Sequence, residues 1–386
     1  MIYLDKILED IRVVDLTHVW FGPWCTRILA MLGADVIKIE PPWGGFIRYR
    51  PPLYGDAGSW FMCLNTEKRG MSLNLKHEKA KKIYFELVEK SDVIVNNFMP
   101  GTMERLGIAY NDVNKINPGI VYANLSGFGL TGPYSRRPSF APIGEAYSSF
   151  TRLNGDLVDP EGPPLPTTDA FGDLVPGTWA ALCIIAALRY RDKTGIGQEI
   201  DVTQIEVCTH MISVSMNNYV LTGELPWMLQ DKFPAAQGLG GIMKTSDGYV
   251  RIAAPAGAHT DRLAKLIGVE ELDREKFAEW VSAQKRDELV ELLSKNDIPV
   301  GPVNHIPDVL RDPHMKARNA FTEIEDPRSP SGKLILPDFP VKLSKTPGKL
   351  TKRAPMLGEH NDEILTTLLG YSKEEIEQLR KEKAIR

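Results

Sequence analysis

A regular alternation of strand-like and helix-like segments in the first half of the chain is the feature that most constrains the fold. Residues 11–16 (IRVVDL), 35–40 (DVIKIE) and 92–98 (DVIVNNF) are short apolar runs rich in β-branched residues. Residues 22–34 and 77–91, which lie between these runs, repeat apolar side chains at helical spacing. Strands joined by crossover helices are parallel, so the pattern predicts an α/β fold whose parallel sheet is covered on both faces.

The pattern changes near residue 224, where a hairpin signal at residues 238–255 is followed by helical patterns such as residues 274–296. A chain of 386 residues is also longer than one hydrophobic core usually serves. We therefore predict that residues 1–224 form the first part of a large Rossmann-like domain and residues 225–310 a smaller α+β domain. Residues 311–386 form a C-terminal segment.

The composition narrows the choice of partners and cofactors. A net charge of −4 gives no reason to expect nucleic acid or an anionic membrane as partner. The longest apolar run has about ten residues, well short of the roughly 20 that cross a bilayer. The four cysteines are far apart and contain no C-x-x-C pair, which is typical of reduced thiols in a cytoplasmic protein. No two histidines stand four residues apart, so we expect no metal site.

Two acids, Asp169 and Asp173, precede the apolar run WAALCIIAALRY of a predicted helix. Asp173 suits an N-cap or first-turn position, with Pro176 tolerated in that turn, and backbone N–H groups there would lower its pKa. The same residue also suits catalysis. An ionised carboxylate beside Gly172, where a ligand can approach closely, can attack an activated acyl carbon directly. The local pattern leaves both roles open, and it places Asp169 in a loop.

A second candidate lies in residues 96–108 (NNFMPGTMERLGI), which leave a strand, turn at Pro100 and Gly101, and start a short helix with Arg105. The carboxyl end of a parallel strand followed by a helix is where α/β proteins hold phosphates, and a guanidinium would strengthen such a site. The alternative is an exposed surface arginine. The nearby aromatic residues 20–24 (WFGPW) fit either an apolar pocket or the core.

The motif GFGLTG at residues 127–132 fits the dinucleotide pattern G-x-G-x-x-G. Pro133 follows it, however, and the next residues do not open the helix that the pattern requires. We interpret the motif as a glycine-rich loop, which makes an NAD-linked oxidoreductase the less favoured hypothesis.

Together these residues resemble the family III coenzyme A transferases, which include formyl-CoA transferase, the carnitine/crotonobetaine CoA-transferases and the α-methylacyl-CoA racemases. The resemblance covers nearly the whole chain. It runs from IRVVDLTHVWFGPWCTRILAMLGADVIKIEPP through VNNFMPGTMERLGI and FGDLVPGTWAALCIIAALRYRDKTGIGQEIDV to APMLGEHNDEIL. It implies an interlocked homodimer in which each chain has a large Rossmann-like domain and a small domain, with the C-terminal segment returning to the large one.

The resemblance also implies a function. The implied enzyme moves CoA from an acyl-CoA to a small carboxylic acid through a covalent intermediate on Asp173, and it needs no metal or further cofactor. Gly238, Gly240 and Gly241 match the family's glycine-rich loop over the acyl intermediates, which is shorter here. Six positions match residues that hold the nucleotide part of CoA: Val19, Asn97, Phe98, Thr102, Arg105 and Leu106.

Two departures from the family pattern bear on the substrate. The racemases use a histidine as one of two acid/base groups, and Phe140 stands in its place here. Trp20 replaces a glutamine of the formyl-CoA transferases, which indicates a bulkier or more apolar acyl group. We therefore expect a transferase. An α-methylacyl-CoA racemase or epimerase and a non-catalytic CoA-binding subunit are the alternatives.

Overall fold

The computed structural model describes residues 5–232, 238–254 and 257–386. The chain divides into two compact units, one of Met1–Ser213 with Asn319–Arg386 and one of Val214–Arg318. The division therefore lies at residues 213/214 and 318/319, while the domain boundaries at 224/225 and 310/311 remain a prediction from the sequence.

The strands of both units are numbered here in chain order. They are β1 (Arg12–Asp15), β2 (Asp35–Glu40), β3 (Leu53–Tyr54), β4 (Ala57–Gly58), β5 (Arg69–Ser72), β6 (Val93–Asn96), β7 (Val121–Ser126), β8 (Glu199–Thr203), β9 (Gly241–Lys244), β10 (Tyr249–Ile252), β11 (Val300–Pro302), β12 (Phe321–Glu325) and β13 (Lys333–Pro337).

The helices are numbered in the same way. They are α1 (Phe21–Met31), α2 (Ser59–Leu64), α3 (Glu78–Glu89), α4 (Thr102–Leu106), α5 (Tyr110–Val113), α6 (Ala141–Tyr147), α7 (Phe150–Asp156), α8 (Phe171–Thr194), α9 (Gln204–Met211), α10 (Ser213–Thr222), α11 (Pro226–Lys232), α12 (Ala258–Ile267), α13 (Arg274–Ser282), α14 (Arg286–Lys295), α15 (Ile306–Arg311), α16 (Pro313–Ala317), α17 (Asn361–Glu363) and α18 (Lys373–Lys381). A 3₁₀ turn (Phe46–Tyr49) and a π-helical turn (Ile364–Leu368) complete them.

The first unit is built on a six-stranded parallel sheet of order β5-β2-β1-β6-β7-β8. This confirms the predicted α/β architecture. The chain adds β2 and β5 on one side of β1 and then crosses to add β6, β7 and β8 on the other side. The switch point lies between β1 and β6, where crossover connections diverge and leave a crevice beyond the carboxyl ends of the strands.

Helices cover both faces of this sheet because the strands are apolar on both sides. Val14 packs on one face with Leu87 of α3 and with Ile364 and Ile376 of the C-terminal segment. Its neighbour Val13 packs on the opposite face with a separate set of helical residues from α1 and α8. The segment that begins at Asn319 thus belongs to the same compact unit as the N-terminal half.

Helix α8 is long and apolar enough to cross a membrane by length and composition alone, and half of its most apolar window is buried in the protein. Its buried residues Ala180, Ala181 and Ile184 pack in the core beneath the sheet, together with α1. Gly177 permits the close approach of α1, because a Cβ there would lie 2.7 Å from the Phe21 carbonyl oxygen. These contacts are those of a core helix.

The second unit is built on the three-stranded antiparallel sheet β11-β10-β9, with a core that includes Val250, Ile252, Phe277 and Leu293. The prediction of one helix over residues 274–296 was wrong, because α13 and α14 are separate helices.

The chain leaves helical geometry at Lys285 (φ −80°, ψ 142°), and the Arg286 N–H donates to Asp247 Oδ1 at 2.7 Å. This contact with the hairpin turn is tertiary, so the helical pattern of the segment does not reveal it.

Candidate active site

A small cavity of about 60 Å³ lies beyond the carboxyl ends of β1, β6 and β7, at the switch point of the sheet. It contains Asp173 and the backbone of the loops that follow the three strands. The residues that line it are His18, Val19, Phe21, Asn97, Leu125, Ser126, Gly127, Ser139, Phe140, Asp173 and Gln204.

The loops after β1 and β6 are tied together by one side chain. The His18 N–H donates to Asn97 Oδ1 at 2.8 Å, and Asn97 Nδ2 donates to the His18 carbonyl oxygen at 2.7 Å. Val19, the next residue, has a φ of +62°, which is unfavourable for a β-branched side chain. Since such backbone strain persists only where its surroundings hold it, this two-bond clamp gives the crevice a fixed wall.

Asp173 is the third residue of α8, and the backbone before it is unusual. Asp169 and Ala170 both have positive φ values, of 51° and 48°, and Ala170 caps the helix without a side-chain hydrogen bond. Asp169 is exposed in this turn, so the prediction that it is a loop residue is confirmed. Asp173 therefore sits where a strained turn becomes a helix, a geometry that fixes its side chain against the cavity.

The glycine before Asp173 lies directly against a neighbouring helix. A Cβ on Gly172 would lie 2.5 Å from the Ala141 carbonyl oxygen and 3.0 Å from Glu145 Cγ. The missing side chain of Gly172 therefore permits the close approach of helix α6, and the approach of a ligand stays a prediction. Pro176 also lies inside α8 and not in its first turn, and it has no N–H to donate to the Gly172 carbonyl.

The predicted lowering of the Asp173 pKa was wrong. Asp173 is only 5% exposed, and its burial raises the pKa to about 7. Gln204 opposes this rise by donating from Nε2 to Asp173 Oδ1 at 2.5 Å, while the charge of Glu145 adds to it. Burial prevails because the carboxylate has one neutral donor among the described residues and faces no described cation.

Glu145 and Gln204 are the residues that the sequence did not single out. Glu145, from α6, is 3% exposed and accepts from the Gly172 N–H at 2.7 Å and from Thr167 Oγ1 at 2.6 Å. Gln204 begins α9 directly after β8 and accepts from Ser139 Oγ at 2.7 Å. A polar residue immediately after a parallel strand was the available signal for Gln204, whereas nothing in the α6 sequence distinguishes Glu145.

Two other reactive groups near Asp173 are held in their neutral forms. Burial raises the pKa of the Cys208 thiol to about 11, and Glu145 and Asp173 contribute to the rise. Burial lowers the pKa of His18 to about 4, and the Lys38 charge lowers it further. Near neutral pH the cavity therefore contains Asp173 as both acid and carboxylate, and His18 as a neutral imidazole, while the nearby Cys208 stays a thiol.

Comparison with known proteins shows the family of the chain. The sequence model of CoA-transferase family III matches residues 8–361. The chain belongs to CoA-transferase family III. The chain is 32% identical over 383 residues to a succinyl-CoA:mesaconate CoA-transferase of Haloarcula marismortui, a match that covers 93% of the chain and 95% of that relative.

Two further similarities extend over nearly the whole family III chain. It is 33% identical to the alpha subunit of a succinyl-CoA–L-malate CoA-transferase of Chloroflexus aurantiacus. This match covers 98% of the chain and 92% of that relative. A crystal structure of a CaiB/BaiF family protein from Brucella suis has a TM-score of 0.81 at 29% identity, and it covers 93% of the chain and 98% of that protein.

The six positions predicted to hold CoA follow β1 and β6, the two strands at the switch point of this family III enzyme. Val19 and Asn97 line the cavity, and the ring of Phe98 lies 5.1 Å from that of His18. Thr102 begins α4, where its Oγ1 accepts from Arg105 Nη2 at 2.9 Å. The guanidinium of Arg105 is exposed and makes no ion pair with a described residue.

Three further residues that the sequence singled out, Leu106, Phe140 and Trp20, have different surroundings. Leu106 packs against the core on the face of the sheet that α3 covers. Phe140 caps α6, is 57% exposed and lines the cavity. Trp20 is not among the cavity-lining residues of the described chain; it packs edge-on to Trp60, with ring centroids 5.2 Å apart.

The glycines that the sequence predicts to be the family's glycine-rich loop fall in the second unit of this chain. Gly238 has a φ of +63° and Gly241 begins β9 with a φ of +159°. A Cβ on Gly240 would lie 2.8 Å from the Ile252 carbonyl oxygen, so the loop passes directly over β10. Residues 233–237, which precede it, lie outside the described chain.

The glycines of residues 127–132 form a loop, as predicted. Gly127 lines the cavity, Gly129 and Gly132 have φ values near +90°, and α6 begins only at Ala141. A dinucleotide site would require a helix to start at these glycines. The geometry of this loop therefore contradicts the hypothesis of an NAD-linked oxidoreductase.

A second buried carboxylate, Asp15, lies at the end of β1. It accepts from Lys38 Nζ at 3.2 Å and Lys68 Nζ at 3.0 Å, and also from the hydroxyls of Thr17 and Thr26. Burial by itself would raise the pKa of Asp15, but the two ammonium groups and the hydroxyls outweigh it and hold the pKa well below its usual range. This cluster fixes the turn that carries His18 into the cavity.

Proposed function

We propose that this enzyme transfers CoA from an acyl-CoA to a free carboxylic acid through a covalent intermediate on Asp173. The observation that carries the proposal is a buried carboxylate of raised pKa in the crevice of a family III enzyme, beside a neutral amide and away from any described cation. A carboxylate that lacks a cationic partner is a stronger nucleophile when ionised, and it needs no base to activate it.

In the proposed mechanism, Asp173 attacks the thioester carbonyl of the donor and expels CoA as a thiolate, which leaves a mixed anhydride. The thiolate then attacks the aspartyl carbonyl, the donor acid departs, and an aspartyl-CoA thioester remains. The acceptor carboxylate attacks this thioester, and the same steps in reverse order deliver CoA to the acceptor. Each attack creates an oxyanion, which preorganised hydrogen-bond donors stabilise.

The nucleotide part of CoA is proposed to bind at the switch point, on Val19, Asn97, Phe98, Thr102, Arg105 and Leu106. The position of these residues after β1 and β6 supports the assignment, because open parallel sheets bind ligands beyond the carboxyl ends of the strands where the order reverses. Arg105 would provide a guanidinium for a phosphate.

The acyl pocket is proposed to involve Phe140 and Trp20, with Gly238, Gly240 and Gly241 forming a loop that shields the acyl intermediates from water. Water would hydrolyse the anhydride, so a mobile cover serves the reaction. Because the relatives compared above are named for succinyl-CoA with mesaconate or L-malate, C4 and C5 dicarboxylic acids are the first substrates to try.

The active assembly is proposed to be an interlocked homodimer in the cytoplasm. Helix α10 supports self-association, since Val214, Val220 and Leu221 are 76%, 79% and 74% exposed in the single chain. Four unpaired cysteines fit a reducing compartment. Sedimentation velocity of the purified chain would test the assembly, and a monomer at assay concentrations would contradict it.

The racemase alternative has one observation in its favour, since His18 shares the cavity with Asp173 and provides a second titratable group where Phe140 provides none. A racemase needs an acid and a base at the substrate α-carbon. The lowered pKa of His18 makes it a weak base for removing a proton from the substrate α-carbon, which favours the transferase.

The deciding experiment is a matrix of acyl-CoA donors against carboxylic acid acceptors in deuterated water, read by mass spectrometry, with native enzyme, Asp173→Asn and Asp169→Asn. We expect CoA exchange in the native enzyme and in the exposed-residue control, and a loss of at least about 10⁴-fold in Asp173→Asn. Deuterium at the α-carbon without exchange would establish the racemase instead. Activity that appears only when a second protein is added would indicate that this chain is a subunit of a larger enzyme.

A further inference from the structure

The two oxygens of the Asp173 carboxylate are in different environments. Oδ1 accepts the hydrogen bond from Gln204 Nε2, whereas Oδ2 accepts none from a described residue. Oδ2 therefore carries the unengaged lone pairs that an attack on a thioester requires. Oδ1 stays on the side of the carboxylate that faces α9, where Gln204 is the first residue.

This asymmetry determines where charge develops during the transfer. When Oδ2 attacks the donor, it becomes the bridging oxygen of the anhydride, and Oδ1 becomes the carbonyl oxygen of the aspartyl group. The CoA thiolate then forms a bond to Cγ of Asp173, and the displaced electron pair moves onto Oδ1. Collapse of this tetrahedral species re-forms the carbonyl and breaks the Cγ–Oδ2 bond, so the donor acid leaves with Oδ2.

We propose that Gln204 is a catalytic residue of this reaction, because its side-chain amide donates a hydrogen bond to the oxyanion that forms on Oδ1 at each attack on the aspartyl carbonyl. The proposal rests on the CoA-transferase function proposed above. It applies to the thiolate attack on the anhydride and to the acceptor attack on the aspartyl-CoA thioester, which form the same oxyanion.

The orientation of the amide supports this role. Ser139 Oγ donates to Gln204 Oε1 at 2.7 Å, which turns the amide NH₂ group toward Asp173. Gln204 is 3% exposed, and its Cβ lies against Gly144 of α6, where a methyl group would approach to 2.7 Å. Both ends of the side chain are thus held in place before the reaction begins, so little reorganisation is needed as charge forms.

The donor should accelerate the reaction and contribute little to acyl-CoA binding. In the anhydride and the thioester, Oδ1 is a neutral carbonyl oxygen, so the hydrogen bond that it accepts from the Gln204 amide is weak. In the tetrahedral species Oδ1 carries the charge, and a hydrogen bond to an ionised acceptor is about twice as strong. A stabilisation that appears mainly in the transition state raises kcat and leaves KM nearly unchanged.

The test compares Gln204→Met with the native enzyme in a rapid-quench reaction with donor acyl-CoA alone, in which mass spectrometry follows the CoA adduct on the protein. Methionine keeps the length and burial of the side chain and removes the donor. At a pH well above the Asp173 pKa, we expect adduct formation to slow by about 100-fold, with KM for the acyl-CoA within about twofold.

Two further variants separate catalysis from folding. Ser139→Ala frees the amide without altering Gln204, and we expect a slowing of about tenfold, which keeps the proposal testable if Gln204→Met does not fold. Gln198→Met removes an exposed glutamine at the other end of β8 and should leave the rate unchanged.

The outcomes distinguish the two proposals. A native enzyme that forms no CoA adduct with any donor would overturn the covalent mechanism and this role together. A native enzyme that forms the adduct, with folded Gln204→Met and Ser139→Ala equally fast at high pH, would overturn the role of Gln204 alone. The role would also be overturned if Gln204→Met shifted the pH at which the rate rises but reached the same rate at high pH. Gln204 would then act only on the Asp173 pKa.

Discussion

Asp15 and Asp173 are both buried carboxylates near the carboxyl edge of one parallel sheet, yet their pKa values move in opposite directions. Asp15 is fully buried between two lysines, and its pKa is held well below the usual range. Asp173 has similar burial and a neutral amide partner, and its pKa rises to about 7. Burial penalises the charge in both places, so the partners decide the direction.

The comparison teaches how one sheet supports a structural and a reactive carboxylate. The charge of Asp15 is compensated by Lys38 and Lys68, and its remaining lone pairs are occupied by Thr17 and Thr26. Its oxygens are therefore unavailable to a substrate. Asp173 keeps one oxygen unengaged and is less stabilised as an anion, which are the properties that a nucleophile needs.

The largest effect on stability is expected from Asp15→Asn. The change leaves Lys38 and Lys68 buried without their counter-charge, so we expect the free energy of unfolding to fall by about 3–5 kcal/mol. Asp35→Asn is the matched control, because Asp35 pairs with Arg12 and Arg69 nearer the surface and should cost less. Urea unfolding at neutral pH measures both, and equal losses would contradict the contrast.

A smaller effect of opposite sign is expected from Asp173→Asn. The folded pKa of about 7 lies above the ordinary aspartate pKa of 3.8, so the fold favours the protonated acid. Native stability is therefore penalised at pH above 7, and the penalty is relieved as the pH falls from 7 towards 4. Asp173→Asn should be more stable than the native protein above pH 7, by a few kcal/mol, with the gap closing on acidification.

Thermal unfolding over a pH series measures this difference, with the exposed Asp169→Asn as control. A variant that is less stable than the native protein at high pH would show that Asp173 is held mainly by its hydrogen bond to Gln204. The contrast drawn between the partners of Asp173 and those of Asp15 would then be wrong.

The sequence allowed the architecture to be predicted because both faces of the strands are apolar. The runs that became β1, β2 and β6 are rich in β-branched residues, and the helices between them have a clear apolar side. Asp173 was found because it stands shortly before the apolar run WAALCIIAALRY of α8. Its pKa direction was wrong because local reasoning counted the helix start and could not count the desolvation by α6 and α9.

The rest of the site depends on contacts between residues that are distant in sequence. Gln204 reaches Asp173 from a position 31 residues later, and Gly172 reaches Glu145 across 27 residues. Asn97 closes its clamp on His18 across 79 residues. No local periodicity encodes such pairings, which arise only when the sheet order brings the strand ends together.

The smallest predicted effect sharpens the comparison at Asp173 itself. The rate should depend on ionised Asp173, so kcat/KM for the acyl-CoA should rise with pH and level off above about 7. Glu145→Gln removes a neighbouring negative charge while keeping an acceptor for the Gly172 N–H, so the rise should move to lower pH. Stopped-flow or discontinuous assays across the pH range measure the shift. A rise that moves to higher pH in Glu145→Gln would mean that Glu145 stabilises the charged form, and the like-charge account of this site would be wrong.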